Sequence, residues 1–88
     1  ATAIMFRADV PETRAYGLDV TLRCRLPAAA CRQRLQGGVL DCVADLAEVW
    51  FRQREEITFH DPLAAVCIFE PDLCGYEHGR VSVELHSR

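Results

Sequence analysis

Between the Gly37-Gly38 pair and Arg54, apolar residues recur at three- and four-residue steps: Val39, Cys42, Val43, Leu46, Val49 and Trp50. That spacing gathers them on one side of a helix. Asp41, Asp45, Glu48 and Arg52 fall on the other side, with Glu48 and Arg52 at the favourable i, i+4 separation. No other part of the chain carries so regular a pattern. The ordinary use of such a stripe, Trp50 included, is to pack in a core, and that is the expectation for this one.

The remaining segments are shorter and more often broken. Residues 1–8 read as the last turns of a helix, which Pro11 cannot continue. Tyr16, Leu18, Val20 and Leu22 stand at period two, so residues 13–22 are expected to form a strand interrupted at Gly17. Pro27 suits the first turn of a helix running to about Leu35, where Gly37-Gly38 ends it. Ile57-Thr58-Phe59 is a short extended lead into His60-Asp61-Pro62. The helix expected from Pro62 to Phe69 is apolar nearly all round and should be buried on more than one side, with Pro71 stopping it. Finally, Val81, Val83 and Leu85 alternate with Ser82, Glu84 and His86, which predicts a half-exposed strand over 80–86. The pattern is α/β, mostly helical with a few strands, with no internal repeat and no linker.

Half of the 88 residues are apolar and 26% are charged, a globular rather than a disordered composition. No apolar run approaches the ~20 residues that cross a bilayer, so no membrane partner is expected. A net charge of −3 weighs against nucleic acid as a partner. All ten basic residues are arginine, six of them within residues 1–35, and Arg23, Arg25, Arg32 and Arg34 are expected to form a solvated face. Five cysteines cannot all pair within one chain, and the spacings of Cys24, Cys31, Cys42, Cys67 and Cys74 include none typical of a zinc site. They are expected to be reduced thiols used as small buried hydrophobes, in a cytoplasmic setting. Ala1 to Phe6 has neither the basic nor the apolar region of a secretory leader, and the chain does not begin with Met, as after processing or in part of something longer.

One cluster combines residues able to do chemistry. In H-D-P-L-A-A, Asp61 is a suitable N-cap for the next helix, Pro62 suits its first position, and His60 reads as a loop histidine. The same arrangement has a second reading. Adjacent His and Asp before a helix can aim an imidazole at a leaving group and a carboxylate at a hard cation.

The run T-F-H-D-P-L-A-A-V, followed by E-P-D-L and R-V-S-V-E, resembles the C-terminal part of the inosine–uridine-preferring nucleoside hydrolases. The upstream stretch A-Y-G-L-D-V-T resembles a strand that these enzymes carry before that motif. The resemblance spans Ala1 to Glu84, and H-D-P-L-A is its most specific element. It implies that residues 1–88 are the C-terminal portion of a Rossmann-like nucleoside hydrolase domain. Members hydrolyse the N-glycosidic bond of purine and pyrimidine ribonucleosides to ribose and free base. A bound calcium ion holds the ribose hydroxyls and orients the attacking water, and a carboxylate takes that water's proton. By the same resemblance Asp61 is a calcium ligand, and His60 is the general acid or leaving-group stabiliser beside the base. Trp50, Phe51 and Phe59 stand where base-contacting aromatics are carried, against the plainer expectation of core packing.

The sequence also departs from the family. The Asp-rich D-x-D-x-x-x-D-D motif, which supplies most calcium ligands and the general base, is absent, as is any Asn to hold the ribose hydroxyls. One carboxylate does not meet the six to eight oxygens that calcium takes. The chain by itself is therefore expected to be inactive and to bind no calcium tightly. The alternative is a non-catalytic relic of the family that self-associates or binds a partner, since a partial α/β sheet leaves strand edges and apolar faces open. Either way a homo-oligomer is expected.

Overall fold

A computed structural model describes residues 1–86. In chain order its elements are α1 (Thr2–Arg7), α2 (Leu18–Thr21), β1 (Arg25–Pro27), α3 (Ala28–Arg34), α4 (Val39–Phe51), β2 (Glu56–Thr58) and α5 (His60–Val66), followed by a 3-10 turn at Pro71–Leu73. The result is a mixture of helices with one small sheet. β1 and β2 pair antiparallel with Leu26 opposite Ile57. At one end of this ladder Phe59 N donates to Cys24 O at 2.8 Å, and at the other Ala28 N donates to Glu55 O at 2.9 Å. Because α2 comes just before β1 and α5 follows directly on β2, this short ladder brings α2 against α5.

The helix predicted from residue 39 is present, and its start has a clear cause. Gly37 and Gly38 both take positive φ, 92° and 58°. Side-chain-bearing residues rarely adopt that region, so the glycine pair turns the chain sharply out of α3 and into α4. Gly37 N donates to Asp41 Oδ1 at 2.8 Å, which ties the turn to the first turn of α4.

The rotation of α4 differs from the expectation. Its buried edge is Ala47, flanked by half-buried Ala44, Glu48 and Phe51. The apolar stripe faces outward, with Val39 78%, Leu46 69% and Trp50 50% exposed. Small side chains let α3 come close on the alanine edge. There Arg32 forms a two-pronged ion pair with Glu48, Nε to Oε1 at 2.6 Å and Nη2 to Oε2 at 3.0 Å, and its guanidinium lies 5.4 Å from the Phe51 ring centre. Glu48, expected on the solvated side, is thus part of a helix–helix contact. The stripe is left without cover among the described residues.

Other expectations are corrected as well. Residues 13–22 form no strand: the segment is extended up to Gly17 and then closes a single helical turn, with Thr21 N donating to Gly17 O and Leu22 N to Leu18 O. Local bonds satisfy the backbone that a strand would have needed a neighbour to satisfy. Residues 80–86 are likewise not a strand, because no described edge pairs with them. Pro27 ends β1 and precedes α3 instead of opening it. The last apolar helix begins two residues early, at His60, and ends at Val66, leaving Ile68 and Phe69 exposed rather than buried. Cys31 and Cys67 are buried as expected, whereas Cys24 and Cys74 are half-buried and Cys42 is exposed; all five are free thiols.

The core is small. Among the described residues, Cys31, Ala47 and Cys67 are the buried apolar side chains, and Thr21 is the buried polar one. The radius of gyration is 16.5 Å, against about 12 Å for a compact domain of this length. The accessible surface is 7959 Å², where a compact chain of this mass exposes about 5,200 Å². No described helix is long and apolar enough to cross a membrane.

Candidate functional site

His60 opens α5, and its position follows from the backbone before it. Phe59 is held in the ladder by its bond to Cys24 O and acts as the N-cap residue, with φ −94° and ψ 82°. His60 is therefore the first helical residue, Asp61 the second and Pro62 the third. Pro62 loses nothing there, because the first N–H groups of a helix have no intrahelical acceptor. Asp61 consequently does not cap the helix. It is exposed in the first turn, makes no capping bond, and places a carboxylate near the positive end of the helix dipole.

The ladder that sets His60 also sets Thr21. This residue closes α2, is only 3% exposed, and lies with Oγ1 2.8 Å from His60 Nδ1. The two residues are thirty-nine positions apart. They belong to the two separate runs, A-Y-G-L-D-V-T and T-F-H-D-P-L-A-A-V, on which the sequence resemblance rests. No local sequence pattern singles out Thr21. In the strand expected over 13–22 it pointed away from Leu18, Val20 and Leu22, and only the helical turn carries it inward.

The aromatic residues go to different places. Phe59 is half-buried beside His60 in the chain. Trp50 donates its indole N–H to Glu56 O at 2.9 Å, and the Arg54 guanidinium lies 5.8 Å from its ring centre. This fastens the end of α4 to the start of β2. Phe51 lies under Arg32 instead. Two shallow cavities flank α5. One, of about 510 Å³, is lined by Glu12, Arg14, Tyr16, Ala64, Ala65 and Ile68. The other, of about 390 Å³, includes Val20, Cys24, Leu63 and Cys74. Neither is lined by His60, Asp61, Trp50, Phe51 or Phe59.

On the first cavity's side, a tyrosine pair joins the segment before α2 to the segment after the 3-10 turn. Tyr16 and Tyr76 share a hydroxyl–hydroxyl hydrogen bond of 3.1 Å, edge to face, with the Arg14 guanidinium 5.2 Å from the Tyr76 ring centre. The bond to Tyr16, with partial burial second, raises the Tyr76 phenol well above its ordinary value. The hydroxyl therefore stays protonated through the neutral range.

The described residues do not fit a calcium ion. No group of three or more His, Cys, Asp or Glu side chains converges among them, while calcium takes six to eight oxygens. Asp61 contributes one carboxylate. Comparison with known protein families, with curated proteins and with solved structures finds no match.

Proposed function

We propose that this chain is the C-terminal part of a calcium-dependent ribonucleoside N-glycosidase of Rossmann-like α/β fold, in which His60 faces the departing nucleobase and Asp61 would supply one carboxylate to the metal. The observation that carries this reading is the Thr21–His60 contact of 2.8 Å. It joins the two runs on which the resemblance to nucleoside hydrolases rests, as a shared site requires and a chance likeness of either run does not. The chemistry left to this chain is that of the leaving group. As the N-glycosidic bond breaks, electrons collect on the base, and a positioned imidazole lowers that barrier by giving it a proton or a hydrogen bond. Water activation belongs to the Asp-rich motif that this sequence lacks, so these 88 residues alone hydrolyse nothing.

Ribose release from inosine and uridine tests the reading. The chain alone with calcium is expected to release none. A protein extended upstream to include the Asp-rich motif is expected to release ribose in a chelator-sensitive way, and His60→Ala is expected to slow it by about 10²–10⁴-fold. Chelator-sensitive hydrolysis by the 88 residues alone contradicts the division of labour.

A second reading is favoured by one observation, the outward-facing stripe of α4. In it the chain is a non-catalytic relative that buries Val39, Leu46 and Trp50 against another copy or a partner. A monodisperse monomer in sedimentation contradicts association with another copy.

A further inference from the structure

We infer that Thr21 is a positioning residue for His60: it donates its hydroxyl proton to Nδ1 and so holds the imidazole in the neutral tautomer with hydrogen on Nε2.

Proton placement follows from what surrounds the hydroxyl. Thr21 Oγ1 is in a residue only 3% exposed, and among the described residues its one side-chain hydrogen-bond partner is His60 Nδ1. A hydroxyl has one proton to give and two lone pairs to receive. If Nδ1 carried the proton, it would donate to Oγ1, and the hydroxyl proton would be left with no acceptor away from water. If Nε2 carries it, Nδ1 accepts from Thr21 and the hydroxyl proton has its acceptor. Buried donors that remain unpaired are rare because the loss of water is not made good. The second arrangement therefore prevails.

The backbone holds both partners in place. Thr21 sits on a closed turn that continues into β1, with Cys24 N donating to Thr21 O at 3.0 Å. His60 follows Phe59, whose N–H is bonded to Cys24 O at 2.8 Å. Two residues, Cys24 and Phe59, thus link Thr21 to His60 through one ladder end, so the ring has little freedom to turn away. Fixing one imidazole nitrogen decides what the other offers. Here that is an Nε2–H donor. On the proposed hydrolase reading, on which this last step rests, His60 meets the departing base with Nε2–H as the hydrogen-bond donor.

The test is nitrogen-15 NMR of the histidine rings in the whole chain without nucleoside, at about pH 8.5, some two units above the ordinary imidazole value. Exposed His78 supplies the unbiased tautomer mixture in the same sample. His60 is expected to show Nδ1 at the unprotonated position and Nε2 at the protonated one, more fully separated than in His78. A slowly exchanging Thr21 hydroxyl proton coupled to Nδ1 is expected with them. Thr21→Val should draw the two His60 shifts together toward those of His78, and Thr21→Ser should restore them. A proton on Nδ1 in the unsubstituted chain overturns the inference whether or not the valine variant folds. Unchanged His60 shifts in a folded Thr21→Val chain overturn it too. These spectra stand apart from hydrolysis: the expected tautomer in an upstream-extended protein that releases no ribose contradicts the hydrolase reading alone.

Discussion

Arg32 on α3 holds Glu48 on α4 through both carboxylate oxygens, at 2.6 and 3.0 Å, on the side of α4 that turns inward. The hydrogen bond from Arg32 lowers the Glu48 carboxyl below its ordinary range. A group whose value is lower in the folded state binds fewer protons there than in the unfolded chain, so it stabilises at higher pH. Its contribution is complete above the ordinary carboxylate value of about 4.3 and is lost as pH falls through the lowered one. The α3–α4 contact is expected to loosen in acid. Both side chains are about half exposed, so salt should weaken the contact as well. Acid titration followed by NMR at Ala47 checks this, with Glu48→Gln removing the Arg32-dependent step. The same acid midpoint in both chains contradicts it.

Gly38 lies at φ 58°, ψ −132°, a combination that side-chain-bearing residues avoid. A Cβ there would meet nothing within 4 Å, so the cost of Gly38→Ala is one of backbone conformation, about 1–3 kcal/mol. Circular dichroism is expected to show lost helix at α4 on that substitution. Retained helicity and unchanged thermal stability contradict the turn geometry.

The outward stripe of α4 predicts association. Burying one leucine contributes about 1.5–3 kcal/mol, so Leu46→Glu should raise the dissociation constant of any assembly using the stripe at least about tenfold. Sedimentation velocity over a concentration series reads this directly. A sedimentation profile that is the same for Leu46→Glu and the unsubstituted chain excludes the stripe from the interface.

Cysteine reactivity reports the packing. Cys42 is exposed, whereas Cys31 and Cys67 are buried, and burial pushes the Cys31 thiol above its ordinary value. Alkylation followed by mass spectrometry should modify Cys42 first and Cys31 and Cys67 last. Equal rates at all five sites contradict the small core.

These contacts show what the sequence made legible. The start of α4 followed from the Gly37-Gly38 break and the helical period, because both are local, although the helix ends at Phe51, three residues short of the expected Arg54. Its rotation did not, because it depends on Arg32, sixteen residues away, and on the close approach that Ala44 and Ala47 allow. Residues 13–22 had the alternation of a strand, but alternation becomes a strand only beside another edge, and the chain closed a turn at Gly17 instead. At the site, His60 and Asp61 were legible as a pair at a helix start. Thr21 was not, since its role comes from the Cys24–Phe59 ladder bond that no local pattern announces.

His60 and Asp61 are proposed to serve a site completed by residues upstream of Ala1, and the coding DNA immediately upstream tests that proposal. The expected result is an open frame containing D-x-D-x-x-x-D-D a couple of hundred codons earlier. A stop or start codon directly before Ala1 contradicts it and leaves the associating, non-catalytic protein.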